Sequence, residues 1–564
     1  MSRTSPRRIA ATVSVSAAAV LAAGVALAVP QAADAAPAWA STSTQALSLT
    51  TSATELGAAP AATPLRLTLG LTPRHRSELN SLIAAQATKG SGQYGKYLTP
   101  AQFTSRFAAT KATASTVRSY LTEEGMSGVT VSKNRLVVTA NSTAAQAEKA
   151  FHTSIARFRQ AKRTVLANTA AAFVPASMKG MVDSVLGLST LGVQDGPSLP
   201  GLSTPKTAFD PKDFDTVYHA GGTTAGKGST LAIIAEGDLT PTVKDLRLAE
   251  AKNKLPQVPV SLRYAGVKSS DTSGADEWDL DTQTSTGIAN TVNKLDIYVA
   301  TSLSDSDLAR ALNMFASQDV AQAGSASLGE CDALPFADGA MTVDDIIFAE
   351  AAAQGQTFFA SSGDTGSACA VLPTNGVPGA GLPDTEYPAS SPYVVGVGGT
   401  TLDANAKNRY QTEIAWNAGG GGASPIENAP SWQSGVVPTV NSTLPLTLRG
   451  VPDVAFDADP DTGENVYVDG TSEEIGGTSL ASPLALGLWT RLQSTHGNKL
   501  GFAAPKLYAL YTKAQNGSPL PPTSVPGFHD IVLGVNGTYT ALPGYDYTTG
   551  LGSWDVAALS KALG

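Results

Sequence analysis

The sequence predicts an α/β protein, a doubly wound parallel sheet preceded by a smaller α+β domain. Three observations carry this reading. Beyond Thr230, short apolar strands alternate with helical stretches, the pattern of a parallel sheet covered on both faces. Before Leu188, strands and helices are mixed at a different spacing. Between the two lies Gly196-Pro-Ser-Leu-Pro-Gly-Leu-Ser-Thr-Pro205, whose prolines and glycines read as a linker.

Residues from about 37 to 62 are rich in Ala, Ser and Thr and are expected to be loose. Structure begins at Pro64. Leu65 to Leu69 alternates as a strand, and Arg74 to Ala85 reads as a helix. Pro100 to Ala108, Ser115 to Glu124 and Thr143 to Phe151 are helical. Val129 to Val131 and Arg135 to Thr139 are strands, and the domain ends near Leu188. In the second region Thr230 to Ala235, Leu295 to Ala300 and Thr357 to Ala360 are buried strands. Pro241 to Asn253, Asp305 to Gln318 and Val343 to Gln354 are helices, the last closed by Gly355. Ligands of such sheets bind beyond the carboxyl ends of strands, where Ser361-Ser-Gly-Asp364-Thr-Gly366 stands. No internal repeat is evident.

At 564 residues the chain can bury several large cores. Apolar residues make up 42% and charged residues 15%, which argues against disorder. The net charge is −9, and no Lys/Arg cluster occurs beyond the N-terminus, so nucleic acid is not an expected partner. Arg3, Arg7 and Arg8 precede a nearly uncharged stretch from Ile9 to Val29 and then Ala33-Asp-Ala-Ala36. That is the layout of a secretion signal over residues 1–36; a membrane anchor is the alternative. No later segment reads as membrane-spanning, and a secreted monomer is expected. Cys331 and Cys369 are the two cysteines. In an exported chain they are expected to form one disulfide, bridging two strand ends of one sheet and bracing the Asp364 loop; two buried thiols are the alternative.

The most informative stretch is Glu474-Ile-Gly-Gly-Thr-Ser479-Leu-Ala-Ser-Pro483. It sets a serine at the mouth of an apolar helix, near backbone N–H groups and the positive helix end. Such a serine suits a nucleophile but needs a base. The five histidines, His75, His152, His219, His496 and His529, sit in no setting that resembles a serine hydrolase base. Glu277-Trp-Asp-Leu-Asp281 offers carboxyls instead. Spaced i, i+4, Glu277 and Asp281 share a helix face and can share a proton. Because Asp276 and Asp279 are acidic too, a solvated acidic face is the plain alternative. Asp364, between glycines, can be aimed by its turn, or be a turn former only. Near the C-terminus Asp530, Ile531, Leu542, Gly544 and Asp546 collect two carboxylates and turn carbonyls, oxygen donors suited to Ca²⁺; ordinary turn aspartates are the alternative.

Together these segments resemble the sedolisin family of serine-carboxyl peptidases. The match runs from about Leu65 to Gly564 in the family's motif order. Glu277 and Asp281 fall on its Glu-x-x-x-Asp, Asp364 on its Ser-Gly-Asp and Ser479 on its Gly-Thr-Ser. Tyr387 to Thr400 looks like a central strand segment of its subtilisin-like fold. Tyr94 to Phe103, Ala167 to Ala170 and Val174 to Ser177 look like its activation propeptide. The resemblance implies a signal at 1–36, a ferredoxin-like α+β propeptide at 37–198 and a subtilisin-like peptidase domain at 206–564. It implies one structural Ca²⁺ held by Asp530, Asp546 and the carbonyls of Ile531, Leu542 and Gly544. The family often has glycine at the position of Leu542. Glu236, next to Ala235, is not given the role of an extra glutamate found in some members. Glu330 stands where some members place a tryptophan of the extended proton network.

The function so implied is a secreted, acid-acting endopeptidase made as a self-processing zymogen, with polypeptide substrates and its own propeptide as intramolecular inhibitor. Ser479 is the nucleophile, Glu277 the base and then the acid, Asp281 its partner, and protonated Asp364 the donor to the oxyanion. A tripeptidyl-peptidase of the same family and a non-catalytic secreted calcium-binding protein are the other readings.

Overall fold

The computed structural model describes residues 38–47, 53–160, 163–191, 194–195, 199–200, 208–369, 383–438, 447–518, 521–522 and 524–564. The expected signal at 1–36 lies outside them, as do linker residues 196–198 and 201–207. Among the described residues no helix is long and apolar enough to cross a membrane.

The N-terminal region is built on Pro64–Leu71, whose alternating leucines Leu65, Leu67 and Leu69 are buried. This strand lies between Val137–Thr143 and Val182–Leu186, and Ser127–Val131 pairs with the outer side of Val137–Thr143. All these pairings are antiparallel. Taken as first to fourth in the chain, the strands stand in the order second, third, first, fourth, which is ferredoxin-like. Two helices begin in full capping boxes, Pro100–Arg106 on Thr99 and Ala144–Ala150 on Thr143, so their first N–H groups are satisfied locally. Of the stretch 37–62, the described residues 38–47 and 53–62 are less loose than expected. Trp39–Ser41 pairs with Phe173–Pro175, and Thr54–Ala58 pairs with Ile155–Gln160. These short strands are held by backbone pairing to distant partners, which composition does not reveal.

The second region holds the large sheet. Its spatial order is Val260–Tyr264, Lys294–Ala300, Thr230–Glu236, Ala323–Ala326, Thr357–Ser361, Val395–Ala404, with Val454–Asp457 and Tyr410–Ala415 also pairing with the last. Tyr410–Ala415 is antiparallel and every other pairing is parallel. Thr230–Glu236 is buried at every residue, the continuous apolar run expected of a strand covered on both faces. Helices Asp305–Gln318 and Ala340–Gln354 pack together between this sheet and the N-terminal region.

The two regions share a packed interface. Leu79, Leu82, Ile83, Phe103 and Phe107 of the N-terminal helices belong to the same apolar core as Ile346, Ile347 and Phe348. Arg66 clasps Asp307 through Nε and Nη2, and Arg310 donates to the Leu67 carbonyl at 2.8 Å. Asn134 donates to Asn313 at 2.7 Å and to Glu350 at 2.5 Å. Asp307 is almost fully buried, so the Arg66 guanidinium compensates a charge that would otherwise be costly there.

Cys331 and Cys369 form a disulfide with Cα atoms 5.6 Å apart. Cys331 does not end a strand of the large sheet, as expected from the sequence. It closes Leu328–Cys331, which belongs to a separate three-stranded sheet with Gln194–Asp195 and Glu386–Tyr387. The bond ties this small sheet to the loop after Thr357–Ser361. With the two cysteines 38 residues apart in the chain, closing that loop stabilises by about 4 kcal/mol in the chain-entropy model. Thiol labelling of denatured, unreduced protein is expected to find no free thiol; two reactive thiols would contradict the bridge.

Candidate active site

Ser479 is the second residue of Thr478–Thr495, a helix buried along nearly its whole length. Gly477 precedes it with φ 103°, a left-handed conformation that favours glycine. A Cβ there would stand 2.6 Å from Asp364 Oδ2, so glycine is required for space as well. Pro483 lies inside the helix. Lacking an N–H, it cannot bond the carbonyl four residues earlier, which is that of Ser479. The Ser327 hydroxyl lies 3.2 Å from that carbonyl and 2.7 Å from Asp281 Oδ1. Ser327 therefore links the nucleophile's backbone to a carboxyl of the facing helix.

That helix is Ala275–Ala289. It packs closely on the serine helix: a Cβ at Gly487 would come within 2.8 Å of Ile288 Cβ. Glu277 and Asp281 lie one turn apart on it, exposed by 1% and 0%. Asp279 is equally buried, which removes the alternative of a solvated acidic face. Burial raises the Asp281 pKa to about 8, against the Ser327 hydrogen bond, which lowers it. Asp279 is also pushed up to about 8, by burial and then by the charge of Asp245.

Asp364 lies after the strand Thr357–Ser361, as expected. Its Oδ1 accepts from the Thr478 N–H at 2.8 Å and the Thr478 hydroxyl at 2.7 Å. The same hydroxyl lies 3.1 Å from the Gly363 N–H. Asp364 Oδ2 and Ser479 Oγ have no hydrogen-bond partner among the described residues. Burial lifts the Asp364 pKa to about 6 against the two Thr478 bonds. With Oδ1 occupied as an acceptor, its proton resides on Oδ2, the oxygen nearest Gly477.

Asp364 and Ser479 are thus joined through Thr478, and Ser479 and Asp281 through Ser327. Thr478, Ser327 and the consequence of Pro483 were not identified from the sequence; Pro483 four residues after the serine was the available signal. Glu330 is drawn into a buried hydrogen-bonded cluster with Asp305 and Asp338, its pKa well above the usual range through burial. The histidines are engaged elsewhere: His219 with Asp555, His496 with Ser560, His529 stacked on Tyr410, His152 on Trp39, and His75 at the N-cap of the helix Arg76–Ala87.

The linker and the residues just before it meet this site on both sides. Gln194–Asp195 pairs antiparallel with Gly329 and Leu328, next to Ser327. Leu199–Pro200 pairs antiparallel with Gly476 and Ile475, just before Thr478 and Ser479.

Known proteins resemble this chain over most of its length. Residues 51–191 match the Pro-kumamolisin activation domain. Sedolisin of Pseudomonas sp. (strain 101) is 36% identical over 562 residues, covering 93% of this chain and 92% of that protein. The chain belongs to the sedolisin family of serine-carboxyl peptidases. Xanthomonalisin of Xanthomonas sp. (strain T-22) is 35% identical, covering 88% of this chain and 65% of its own length. The solved structure of Pseudomonas sedolisin, complexed with pseudo-iodotyrostatin, is 38% identical with a TM-score of 0.57, over 64% of this chain and 98% of that one. Shorter matches, covering 38% of this chain, are to tripeptidyl-peptidases.

At the C-terminus, Asp530 accepts the Gly544 N–H on both oxygens at 3.0 Å, and Asp546 Oδ2 accepts the Leu542 N–H at 2.9 Å. Both carboxyls are thus drawn onto one loop together with the buried Ile531. Leu542 is 56% exposed and is not among the residues of positive φ, so leucine sits there without strain. Burial raises both aspartate pKa values, and the Asp546 charge raises that of Asp530 further. An all-oxygen set of two repelling carboxylates fits a hard cation. Among the described residues no group of three acidic, His or Cys side chains could hold a metal, so carbonyls must complete such a site.

Raised carboxyl pKa values link stability to pH with a defined sign. Asp364 at about 6, and Asp281, Asp279 and Glu350 at about 8, lie above the unfolded values near ~4. Their neutral forms favour the fold fully below about pH 4, and that contribution is lost as pH rises through 6 and then 8. Thermal unfolding followed by circular dichroism is expected to show a melting temperature falling between about pH 4 and 8. A rise over that range would contradict the assignment.

Proposed function

We propose that this sedolisin-family peptidase is a secreted, acid-acting endopeptidase that cleaves its own linker to release a domain beginning near residue 206. The carrying observation is the arrangement of Ser479, Asp364 and Asp281 through Thr478 and Ser327, with the linker paired on both sides of it. Ser479 attacks the peptide carbonyl and Glu277 accepts its proton, later returning it to the leaving amine. Asp281 shares the proton load of Glu277 one turn away. Asp364, protonated on Oδ2, donates to the oxyanion. The pKa near 6 at Asp364 favours acidic operation, because the donor is lost above it. Until cleavage, the N-terminal domain and its linker keep other chains out of the cleft. Secretion rests on the N-terminal residues alone. Endopeptidase action is favoured over tripeptidyl-peptidase action because a linker continuing on both sides of the serine needs an open-ended cleft.

The experiment is expression of the full chain followed by acidification and N-terminal sequencing of the product. Wild type is expected to yield a new N-terminus between Gly196 and about residue 206, while Ser479→Ala stays intact. Glu277→Gln is expected to lose about 10²–10⁴-fold of activity. Asp364→Asn keeps a donor at the Oδ2 position and is expected to lose less. Near-wild-type turnover by Glu277→Gln would refute the carboxyl base.

A Ca²⁺ ion held by Asp530, Asp546 and the carbonyls of Ile531, Leu542 and Gly544 would bind the folded state and stabilise it. Protonation of the two aspartates weakens such a site, so the effect is expected to be larger near neutral pH than in acid. A chelator is then expected to lower the melting temperature, and Asp546→Asn to abolish that response. No shift on chelation, with no metal in the purified protein, would rule the ion out.

A further inference from the structure

Two tyrosines of the N-terminal region, in the stretch Tyr94-Gly-Lys-Tyr97-Leu98, take no part in the chemistry above and are seated on the peptidase domain. The ring of Tyr97 lies in a slot between two glycines. A Cβ added at Gly355 would stand 2.6 Å from its Cγ, and one added at Gly501 would stand 1.9 Å from its hydroxyl oxygen, so the slot exists only because both positions lack side chains. The hydroxyl donates to the Leu500 carbonyl at 2.8 Å. Beside the ring, the Leu98 N–H and the Gln86 side-chain amide both donate to the Ala353 carbonyl at 2.9 Å. Ala353 stands in the last turn of Ala340–Gln354, where carbonyls lack partners in their own helix, and the Thr357 N–H goes to Gln322 instead. Lys506, on the helix Ala504–Gln515, lies 4.7 Å from the centre of the Tyr94 ring, a cation–π contact.

This clamp is remote from the serine. The Thr357 hydroxyl donates to the Gly501 carbonyl at 3.0 Å, and Thr357 begins the strand Thr357–Ser361, whereas Asp364 follows the other end of that strand. About 13 Å of strand, at ~3.3 Å per residue, separates the two ends. Acid leaves the clamp intact. Lowering the pH can only add protons, and a phenol, an amide and a lysine cation have none to take up. Lys89, which donates to the Gly564 carbonyl at 3.2 Å, and Lys96, the charged side chains along the same segment, are cations as well. The Arg66–Asp307 pair in the same interface depends on a carboxylate and has no such immunity. The clamp also bears on the cleft at a distance. Gln194 and Asp195, paired with Gly329 and Leu328 beside Ser327, extend from the domain that it holds.

Building on the peptidase reading, we propose that the Tyr97 slot is a second binding surface of the peptidase domain, one that keeps hold of the N-terminal domain after the linker has been cut. The new chain end beyond Gln194–Asp195 then stays in the cleft. Activity toward other chains starts when the clamp lets go, not when the bond is cut. A tyrosine ring seated in a slot, with its hydroxyl bonded, is the kind of residue that carries a large share of an interface's hold. The partner the slot fits is a phenol ring followed by an N–H aimed at the Ala353 carbonyl, which the Tyr97-Leu98 segment supplies.

The test uses the full chain as wild type, Tyr97→Ala and Tyr97→Phe, brought to acid. At intervals a denaturing gel reads the linker cut, gel filtration in the same acid buffer reads whether the two fragments travel together, and an internally quenched peptide reads activity. Wild type is expected to be cut first, with both fragments eluting together, and to gain activity only after a lag. Tyr97→Ala is expected to shorten the interval between cut and activity at least about tenfold, and Tyr97→Phe, which keeps the ring and loses the bond to Leu500, to fall between. The fully processed enzymes are expected to share one kcat and one KM, because the residue is no longer in them. Activity rising in step with the cut in wild type, or one interval shared by wild type and Tyr97→Ala, would overturn the proposal and leave the peptidase reading standing. Should Tyr97→Ala fail to accumulate as a soluble precursor, wild type is compared with Tyr97→Phe, and an equal interval again overturns it. Absence of both cut and activity in wild type would instead overturn the peptidase reading, and the proposal with it.

Discussion

The hydroxyl of Ser327 stands between Asp281 and the carbonyl of Ser479, and the site depends on that contact. A proline in the first turns of the serine helix removes the donor that the Ser479 carbonyl would otherwise have. A buried carbonyl without a partner is costly. Ser327 supplies the replacement from the segment that follows the strand Ala323–Ala326. The Ser325 hydroxyl lies 2.8 Å from that of Ser482, in the same helix, and repeats the docking one turn further on. The nucleophile is therefore held by the sheet, and its position is coupled to the carboxyl helix.

Burial is the second determinant. Carboxyls taken out of water resist ionisation, and this chain does so repeatedly, at Asp281, Asp364, Asp279 and Glu350. The result is a protein whose acids are neutral proton carriers in mild acid. A histidine base would be charged there and unable to accept a proton. Two carboxyls one turn apart can exchange a proton at that pH, which gives a physical reason for the absence of histidine from the site.

The N-terminal region fits this scheme as more than a cap. Its helices complete the apolar core of the second region, and its linker adds strands to both segments that flank Ser479. Backbone pairing of this kind holds a chain by its main-chain groups and leaves side chains to be sorted by pockets.

Much of this was legible in the chain alone. Period and punctuation located the strand Thr230–Glu236 and the helix Asp305–Gln318, because a fully buried strand and an amphipathic helix leave strong local signatures. The spacing of Glu277 and Asp281 put two carboxyls on one helix face, and Gly-Gly-Thr-Ser479 marked a helix mouth. Both are short-range facts, set by the 3.6-residue period and by glycine's freedom at positive φ. The order of strands in the large sheet, the separate small sheet that carries Cys331, and the roles of Ser327 and Thr478 were decided by tertiary structure. Each depends on residues far apart in the chain meeting across a packed interface. Local sequence carries no record of which hydroxyl will face a buried carboxyl, because burial and contact are set only when the whole core closes.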